Sequence, residues 1–289
     1  MTTIQNKSCP GNATAYTYII GRIRALERGL LNNRLLENAL KAEDLEQALR
    51  VLSELPYINE VLQNAAKKTS SIDRALTEHF WNTLHEILKV QTIAPIGIFF
   101  QMIYDFNNLK LILKRHLTKS PNDTEYPASF EWKRVLRFIT GERNEYLNDV
   151  YRKAIDTALN EYENVRNAQV IENIMDRAFL VEVISLADNC ESKVIKNWLI
   201  AYFMFAYLRS ALRAKFQQTK IDLFRSIYWE NPYIRFEDLA EIVTGADEKV
   251  EETINYYGFR ELLPHDIEYK NDPRFLSEME KNMDNYLMK

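Results

Sequence analysis

Glycine and proline are scarce in this sequence. Its 289 residues include 7 Gly and 8 Pro, whereas average usage would give about 35 of the two together. The regular alternation of apolar and polar residues that marks half-buried strands is nearly absent as well. Apolar residues make up 46% of the chain and charged residues 27%, as expected for an ordered globular protein. These features predict an all-α fold built from helical bundles.

Cysteines and long apolar runs are also few. The two cysteines, Cys9 and Cys190, cannot form a disulfide framework. No stretch approaches the length of a transmembrane helix, about 18 uncharged apolar residues, and the longest candidate, Trp198–Leu208, is followed by Arg209. The N-terminus is polar and does not resemble a signal peptide. These absences predict a cytosolic protein, and the net charge of −4 argues against broad nucleic-acid binding.

Motifs that carry catalysis or bind cofactors are missing. The sequence contains no phosphate-binding G-x-x-x-x-G-K-[ST] or G-x-G-x-x-G loop and no G-x-S-x-G nucleophile turn. His79 and His85 lie six residues apart, on different faces of a helix, and no Glu-x-x-His pair suits a di-iron bundle. Cys190 has no close cationic neighbour that would activate its thiol. The sequence therefore predicts no catalytic residue, no metal site and no cofactor.

Two stretches that lie 99 residues apart share one helical pattern. In residues 104–117 and again in residues 203–216, four apolar residues line one helix face. Two basic residues four positions apart lie on the adjoining face. The apolar positions are Leu109, Ile112, Leu113 and Leu117 in the first stretch and Leu208, Ala211, Leu212 and Phe216 in the second, and the basic positions are Lys110 and Lys114, then Arg209 and Arg213.

The preceding helices repeat at the same offset, which indicates internal duplication. In residues 72–84 the positions Ile72, Leu76, Phe80 and Leu84 correspond to Ile171, Met175, Phe179 and Val183. The Thr-Gly pair at 140–141 recurs at 244–245, and Ile23, Arg24, Leu26 and Arg28 repeat the apolar and basic pattern once more near the N-terminus. We therefore predict three helical repeats, residues 1–70 (shortened), 71–167 and 168–289.

Helix boundaries follow from capping residues and from Pro and Gly. The predicted long helices are Ile72–Val90, Ile98–Lys119, Glu142–Asn160, Gln169–Ala187, Glu191–Lys220 and Phe275–Met288. Pro95 and Gly97 are expected to interrupt the chain before residue 98. Residues 161–168 are expected to join the helix that precedes them directly to the one that follows.

The basic pairs allow more than one interpretation. In the simplest, they form the solvated edge of amphipathic helices, with their aliphatic stems covering apolar surface. Alternatively, the repeats present like charge toward a shared axis and bind an acidic partner. The run 110–119 could also lie near an anionic membrane surface.

The stretch Y-D-F-N-N-L-K-L-I-L-K-R at 104–115 resembles the signature of the C subunit of archaeal and bacterial V/A-type ATPases, which is related to the d subunit of the vacuolar enzyme. Asp105, Asn108, Leu109 and Lys110 match its D-x-x-N-L-K. In the third repeat Met204 and Tyr207 stand where Asp and Asn are often found. Residues 18–31 resemble the opening segment of the family, and residues 171–179 resemble its L-E-x-x-L-D-R-x-Y. The resemblance covers residues 14–288.

This resemblance implies three similar helical domains arranged as a funnel about a pseudo-threefold axis. It implies a non-catalytic rotor subunit that couples the central-stalk subunits to the membrane proteolipid ring, so that ATP hydrolysis or synthesis is linked to proton or sodium transport. Such a subunit is peripheral, on the cytoplasmic face of the membrane. The basic residues would then form the surface that contacts the stalk: Arg24, Arg28, Lys110, Lys114, Arg209 and Arg213.

Family members usually continue beyond the helix equivalent to 275–288 into a further helix, whereas this sequence ends at Lys289. That helix is either absent or outside the sequence. Two other functions stay open. One is a general helical adaptor or scaffold outside any rotary motor. The other is an enzyme of unrecognised type with its site in a cleft between domains, which a deep polar pocket with several perturbed titratable groups would reveal.

Overall fold

The computed structural model describes residues 13–55, 58–59, 69–88, 94–119, 126–142, 147–264 and 273–288. Every regular element in these ranges is a helix, which confirms the predicted all-α class. The elements of the first half are α1 Ala13–Glu27, α2 Asn33–Leu40, α3 Leu45–Leu52, α4 Thr69–Leu88, α5 Ala94–Thr118 and α6 Trp132–Ile139. Those of the second half are α7 Asp149–Val165, α8 Ala168–Asp188, α9 Lys193–Phe216, α10 Ile221–Arg225, α11 Phe236–Thr244, α12 Glu248–Tyr256, a 3₁₀ turn Arg260–Leu262 and α13 Pro273–Leu287.

Polar side chains begin many of these helices. The first backbone N–H groups of a helix have no partner inside it, so a side-chain oxygen just before the helix stabilises its start. Five helices, α2, α3, α7, α8 and α9, have such a cap, provided in that order by Asn32, Asp44, Asn148, Asn167 and Ser192. The local sequence therefore sets where these helices begin.

The structure corrects the predicted start of the helix Ile98–Lys119. Helix α5 begins at Ala94, so Pro95 and Gly97 lie in its first turn and do not interrupt the chain. Proline fits there because its missing N–H would have had no helical partner. Gly97 leaves room for Leu88, since a Cβ atom at this position would overlap Cδ2 of the Leu88 side chain.

The prediction that residues 161–168 form one continuous helix is wrong. Helix α7 ends at Val165, where Arg166 takes a left-handed conformation with φ of 55°. Asn167 then caps α8, accepting a hydrogen bond from the Gln169 N–H at 2.9 Å. The two helices pack against each other as a hairpin. Sequence periodicity missed this turn because it contains neither Gly nor Pro.

The chain divides into two compact units, a larger one of residues 109–121 and 133–289 and a smaller one of residues 2–108 and 122–132. In the larger unit α9 is central. It packs against α8, α11 and α13, and 11 of its residues are buried around its whole circumference. In the smaller unit the buried apolar side chains include Ile19, Leu35, Leu55, Leu84, Phe99, Met102 and Phe106. The boundary between the units falls inside α5. The three repeats and their pseudo-threefold arrangement stay predictions.

The contact at Gly97 generates a stability prediction with an internal control. We expect Gly97→Ala to lower the free energy of unfolding relative to Gly21→Ala by about 1–3 kcal/mol, because its methyl group overpacks the contact with Leu88. Gly21 lies in α1 of the same unit, and a Cβ atom there meets nothing within 4 Å. Gly21→Ala should therefore only raise helix propensity, by about 0.5–1 kcal/mol. Thermal unfolding of both variants measures the difference, and equal shifts in melting temperature would contradict the packing argument.

Candidate functional site

The signature residues Asp105 and Asn108 are buried in α5 and hold a loop. Asp105 is 0% exposed, and its Oδ1 accepts a hydrogen bond from the Ser129 N–H at 2.7 Å, while its Oδ2 accepts one from the Ser129 hydroxyl. Asn108 donates from Nδ2 to the Pro127 carbonyl at 2.8 Å. Buried polar groups are stable only when hydrogen-bonded, and here their partners lie in the segment that follows α5. We call this arrangement the helix–loop clamp, and its role is structural.

A similar clamp, built from different residues, lies in the predicted third repeat. Tyr207 occupies the position equivalent to Asn108, 99 residues later, and its side chain is fully buried. Its hydroxyl accepts a hydrogen bond from the Trp229 N–H at 3.0 Å and donates one to the Ile227 carbonyl at 3.5 Å. One phenol thus replaces both the aspartate and the asparagine, which explains how Met204 can stand in the aspartate position. Burial is the main reason that the pKa of Tyr207 is raised to about 12.

Both lysines of the basic pair in α5, Lys110 and Lys114, form ion pairs with carboxylates of the protein itself. Lys110 forms an ion pair with Asp176, and Lys114 forms one with Glu172, both on α8. The first cation meets the later carboxylate and the second meets the earlier one, so the two helices run antiparallel. The lysine side chains are 20% and 32% exposed. These lysines therefore join α5 to α8 in the larger unit.

The basic pair of the third repeat makes the same arrangement with α13. Nη2 of Arg213 lies 2.6 Å from Oε1 of Glu280, and Nη2 of Arg209 lies 3.4 Å from Oδ1 of Asp284. The order is again antiparallel. The Trp198 indole adds a further link between the helices, because its Nε1–H donates to the Leu287 carbonyl at 2.8 Å. We call each set of two successive ion pairs an ion-pair ladder.

The basic pair of the first repeat has no such ladder. Nη1 of Arg24 lies 2.8 Å from Oε2 of Glu27 in its own helix, and the Arg24 side chain is 74% exposed. Arg28, just past the end of α1, is exposed and has no carboxylate partner in the ranges that the structure describes. Of the six predicted interface cations, four therefore form ladders and two do not, although Arg213 of the second ladder is also exposed.

The acidic halves of the ladders were not predicted from the sequence. Glu172 and Asp176 lie four residues apart, as do Glu280 and Asp284, which is the spacing of the cations they contact. Carboxylate pairs with the spacing of the basic pairs are therefore the sequence signal that points to the ladders. Both pairs also occur in one local pattern, an apolar residue, Glu, two variable residues, Met and Asp, at 171–176 and again at 279–284. We call this the acidic helix motif.

Neither a metal site nor a membrane span is found in the part of the chain that the structure describes. No group of three or more His, Cys, Asp or Glu side chains there is placed to hold a metal ion. None of the helices described combines the length and apolar character needed to cross a bilayer.

Comparisons with known proteins bear on the family. Residues 19–289 match the family model described as ATP synthase (C/AC39) subunit. The chain is also similar to the C subunit of the V-type ATP synthase of Deinococcus radiodurans, with 27% identity over 110 residues, which is 34% of this chain and 29% of that protein. The alignment with this relative thus spans less than a third of its length. The family match confirms the resemblance predicted from the repeats and their signature.

The clamp of the third repeat predicts a loss of stability on removal of one oxygen atom. We expect Tyr207→Phe to lower the free energy of unfolding by about 1–3 kcal/mol, because the part-buried Trp229 N–H and Ile227 carbonyl lose their hydrogen-bond partner. Tyr256→Phe is the matched control, since Tyr256 is 71% exposed, and it should have little effect. Urea unfolding measures both. The interpretation fails if the two variants are equally stable.

The ladder between α5 and α8 predicts coupling between its charges. Lys114→Glu should destabilise the protein by placing a second carboxylate beside Glu172, and the exchange Lys114→Glu with Glu172→Lys should recover part of the loss. A double-mutant cycle isolates the pair, for which we expect a coupling of about 1 kcal/mol because both side chains are partly exposed. The same exchange at Arg50 and Glu46, whose side chains are 79% and 62% exposed, should show weaker coupling. Strictly additive effects at Lys114 and Glu172 would exclude the ladder.

Proposed function

Because this chain belongs to the ATP synthase (C/AC39) subunit family, we propose that it is a non-catalytic rotor subunit of a V/A-type rotary ATPase. It links the central-stalk subunits to the membrane proteolipid ring. ATP hydrolysis or synthesis in the catalytic head is thereby coupled to proton or sodium transport in the membrane sector. The family match over residues 19–289 is the observation that carries this proposal.

The packing of the larger unit supports a mechanical role. A coupler must keep its shape while it is loaded from both ends, and close-packed interiors resist deformation. Helix α9 is packed on three sides by other helices, and the ladders add polar links whose four-residue spacing fixes the register of α8 on α5 and of α13 on α9. Sliding either helix pair by one turn would leave a carboxylate opposite only one of its two cations.

The proposed subunit is peripheral, on the cytoplasmic face of the membrane, and takes no cofactor. Its proposed partner surface includes all six predicted cations, Arg24, Arg28, Lys110, Lys114, Arg209 and Arg213. The ion pairs support a division among them. The four ladder residues contact carboxylates on other helices and chiefly hold helices together, whereas Arg24 contacts Glu27 of its own helix. Arg24 and Arg28 are more accessible to an acidic stalk surface.

Complex formation with the central-stalk subunits tests the proposal. We expect a stoichiometric complex by size-exclusion chromatography at low salt and a weaker one at high salt, because salt screens exposed charges. Arg24→Glu with Arg28→Glu should weaken the complex. Arg34→Glu with Lys41→Glu, which changes two exposed cations of the same unit, should not.

The possible results distinguish a wrong rotor role from a wrong choice of interface residues. Absence of a complex with the stalk subunits at either salt concentration would refute the rotor role and favour a general helical adaptor. A complex that survives the Arg24 and Arg28 reversals would keep the rotor role and remove these residues from the interface.

A further inference from the structure

The short helices α2 and α3 form a hairpin whose apolar surface is largely uncovered. The two helices pack against each other, and Leu35 of α2 is 5% exposed. Helix α3 contains no buried residue, although five of its eight residues are apolar. Five exposed leucines lie in or directly before this hairpin: Leu30 (64% exposed), Leu31 (39%), Leu36 (43%), Leu40 (76%) and Leu45 (49%).

The exposed leucines of α2 occupy positions that are buried in two other short helices. Helices α6 and α11 also have apolar residues at their fourth and eighth positions. The fourth residues, Val135 and Leu239, are 0% exposed, whereas Leu36 at the fourth position of α2 is 43% exposed. The eighth residue of α11, Val243, is 9% exposed, whereas Leu40 of α2 is 76% exposed. An apolar helix face that is left uncovered in this way is typical of an interaction site.

Leu36 and Leu40 lie one helical turn apart on the same face of α2, and we call them the leucine ridge. The residues one position earlier lie on one flank of the ridge and are buried or half-buried. Glu37 and Lys41, each one position later, lie on the other flank and are exposed. Lys41 caps α2 with helical dihedral angles, φ of −86° and ψ of −5°, so it continues this flank. The accessible flank of the ridge thus carries opposite charges four residues apart.

We propose that the leucine ridge is a dimer interface, occupied by the same ridge of a second copy of this chain. About a two-fold axis, two antiparallel α2 helices place Leu36 of each copy against Leu40 of the other. Glu37 of each copy then lies beside Lys41 of the other, so the contact contains two ion pairs. This self-complementary charge pattern favours a second copy over an unrelated protein or a lipid surface. The inference concerns the free chain and does not depend on the rotary role.

The exposed leucine surface is large enough for such a dimer. Covering the five leucines of the hairpin in two copies would remove roughly 1,000 Å² of apolar surface from water. At the roughly 65% apolar share of homodimer interfaces, this corresponds to about 1,500 Å² of total buried surface. Specific, stable interfaces bury about 1,200–2,000 Å². The area is therefore sufficient for association of two copies.

Sedimentation velocity of the full chain, from low to high micromolar concentration, tests the proposal. We expect a reversible monomer–dimer equilibrium for the wild type. Association should be at least about tenfold weaker for Leu36→Ser with Leu40→Ser, because the substituted side chains no longer gain from burial. Val194→Ser with Leu223→Ser, at sites that are 80% and 45% exposed in the larger unit, is the matched control and should associate as the wild type does. A monomeric wild type, or a dimer that the ridge substitutions leave intact, would overturn the proposal.

Charge exchange tests the antiparallel arrangement. The Glu37→Lys chain and the Lys41→Glu chain should each dimerise more weakly than the wild type, because both ion pairs become like-charge contacts. Mixed in equal amounts, the two variants should form a heterodimer nearly as stable as the wild-type dimer, since each charge again meets its opposite across the interface. Ion pairing within one chain cannot produce this rescue. Mixed variants that associate no better than either alone would refute the antiparallel contact, and neither test involves the stalk subunits.

Discussion

Antiparallel pairing between a basic helix and an acidic helix is the interaction on which the larger unit depends. Apolar burial provides most of the stabilisation, since a fully buried Leu or Met contributes about 1.5–3 kcal/mol, whereas a partly exposed ion pair contributes about 1 kcal/mol or less. Apolar contacts are tolerant of register, however, because successive turns of these helices present similar side chains. The charges distinguish one register from its neighbours. Lys110 and Lys114 find carboxylates on α8 in a single alignment, as Arg209 and Arg213 do on α13.

The sequence was sufficient for the helices and for the family, because both depend on local patterns. Apolar spacing located α5 and α9, and the repeat at an offset of 99 residues identified their equivalence. The sequence was insufficient for the turn at Arg166, because arginine rarely adopts the left-handed conformation found there. It was also insufficient for the contacts of the basic residues. A cation on a helix edge has the same spacing whether it faces water or a carboxylate from another helix, so pairing depends on tertiary structure.

The helix–loop clamp is present at both α5 and α9, although the signature residues Asp105 and Asn108 of α5 are replaced by Met204 and Tyr207 in α9. In α5 a carboxylate and an amide satisfy the Ser129 N–H and the Pro127 carbonyl. In α9 the hydroxyl of Tyr207 satisfies a backbone N–H and a carbonyl as both acceptor and donor. Residue identity at these positions is thus constrained by two backbone partners rather than by one side-chain type. The weak match of the third repeat to the signature reflects a different chemical solution to the same requirement.

The position of the unit boundary inside α5 follows from the ladders. Residues from Leu109 onward group with the larger unit, in which α8 supplies the carboxylates for Lys110 and Lys114. In both ladders the cations are neutralised by an acidic helix that comes later in the chain, so the predicted repeat differs from the segment that packs as a body. This offset has an evolutionary consequence. Tandem duplication of such a gene segment would deliver, in one step, an acidic helix for the preceding copy and a basic helix for the following one.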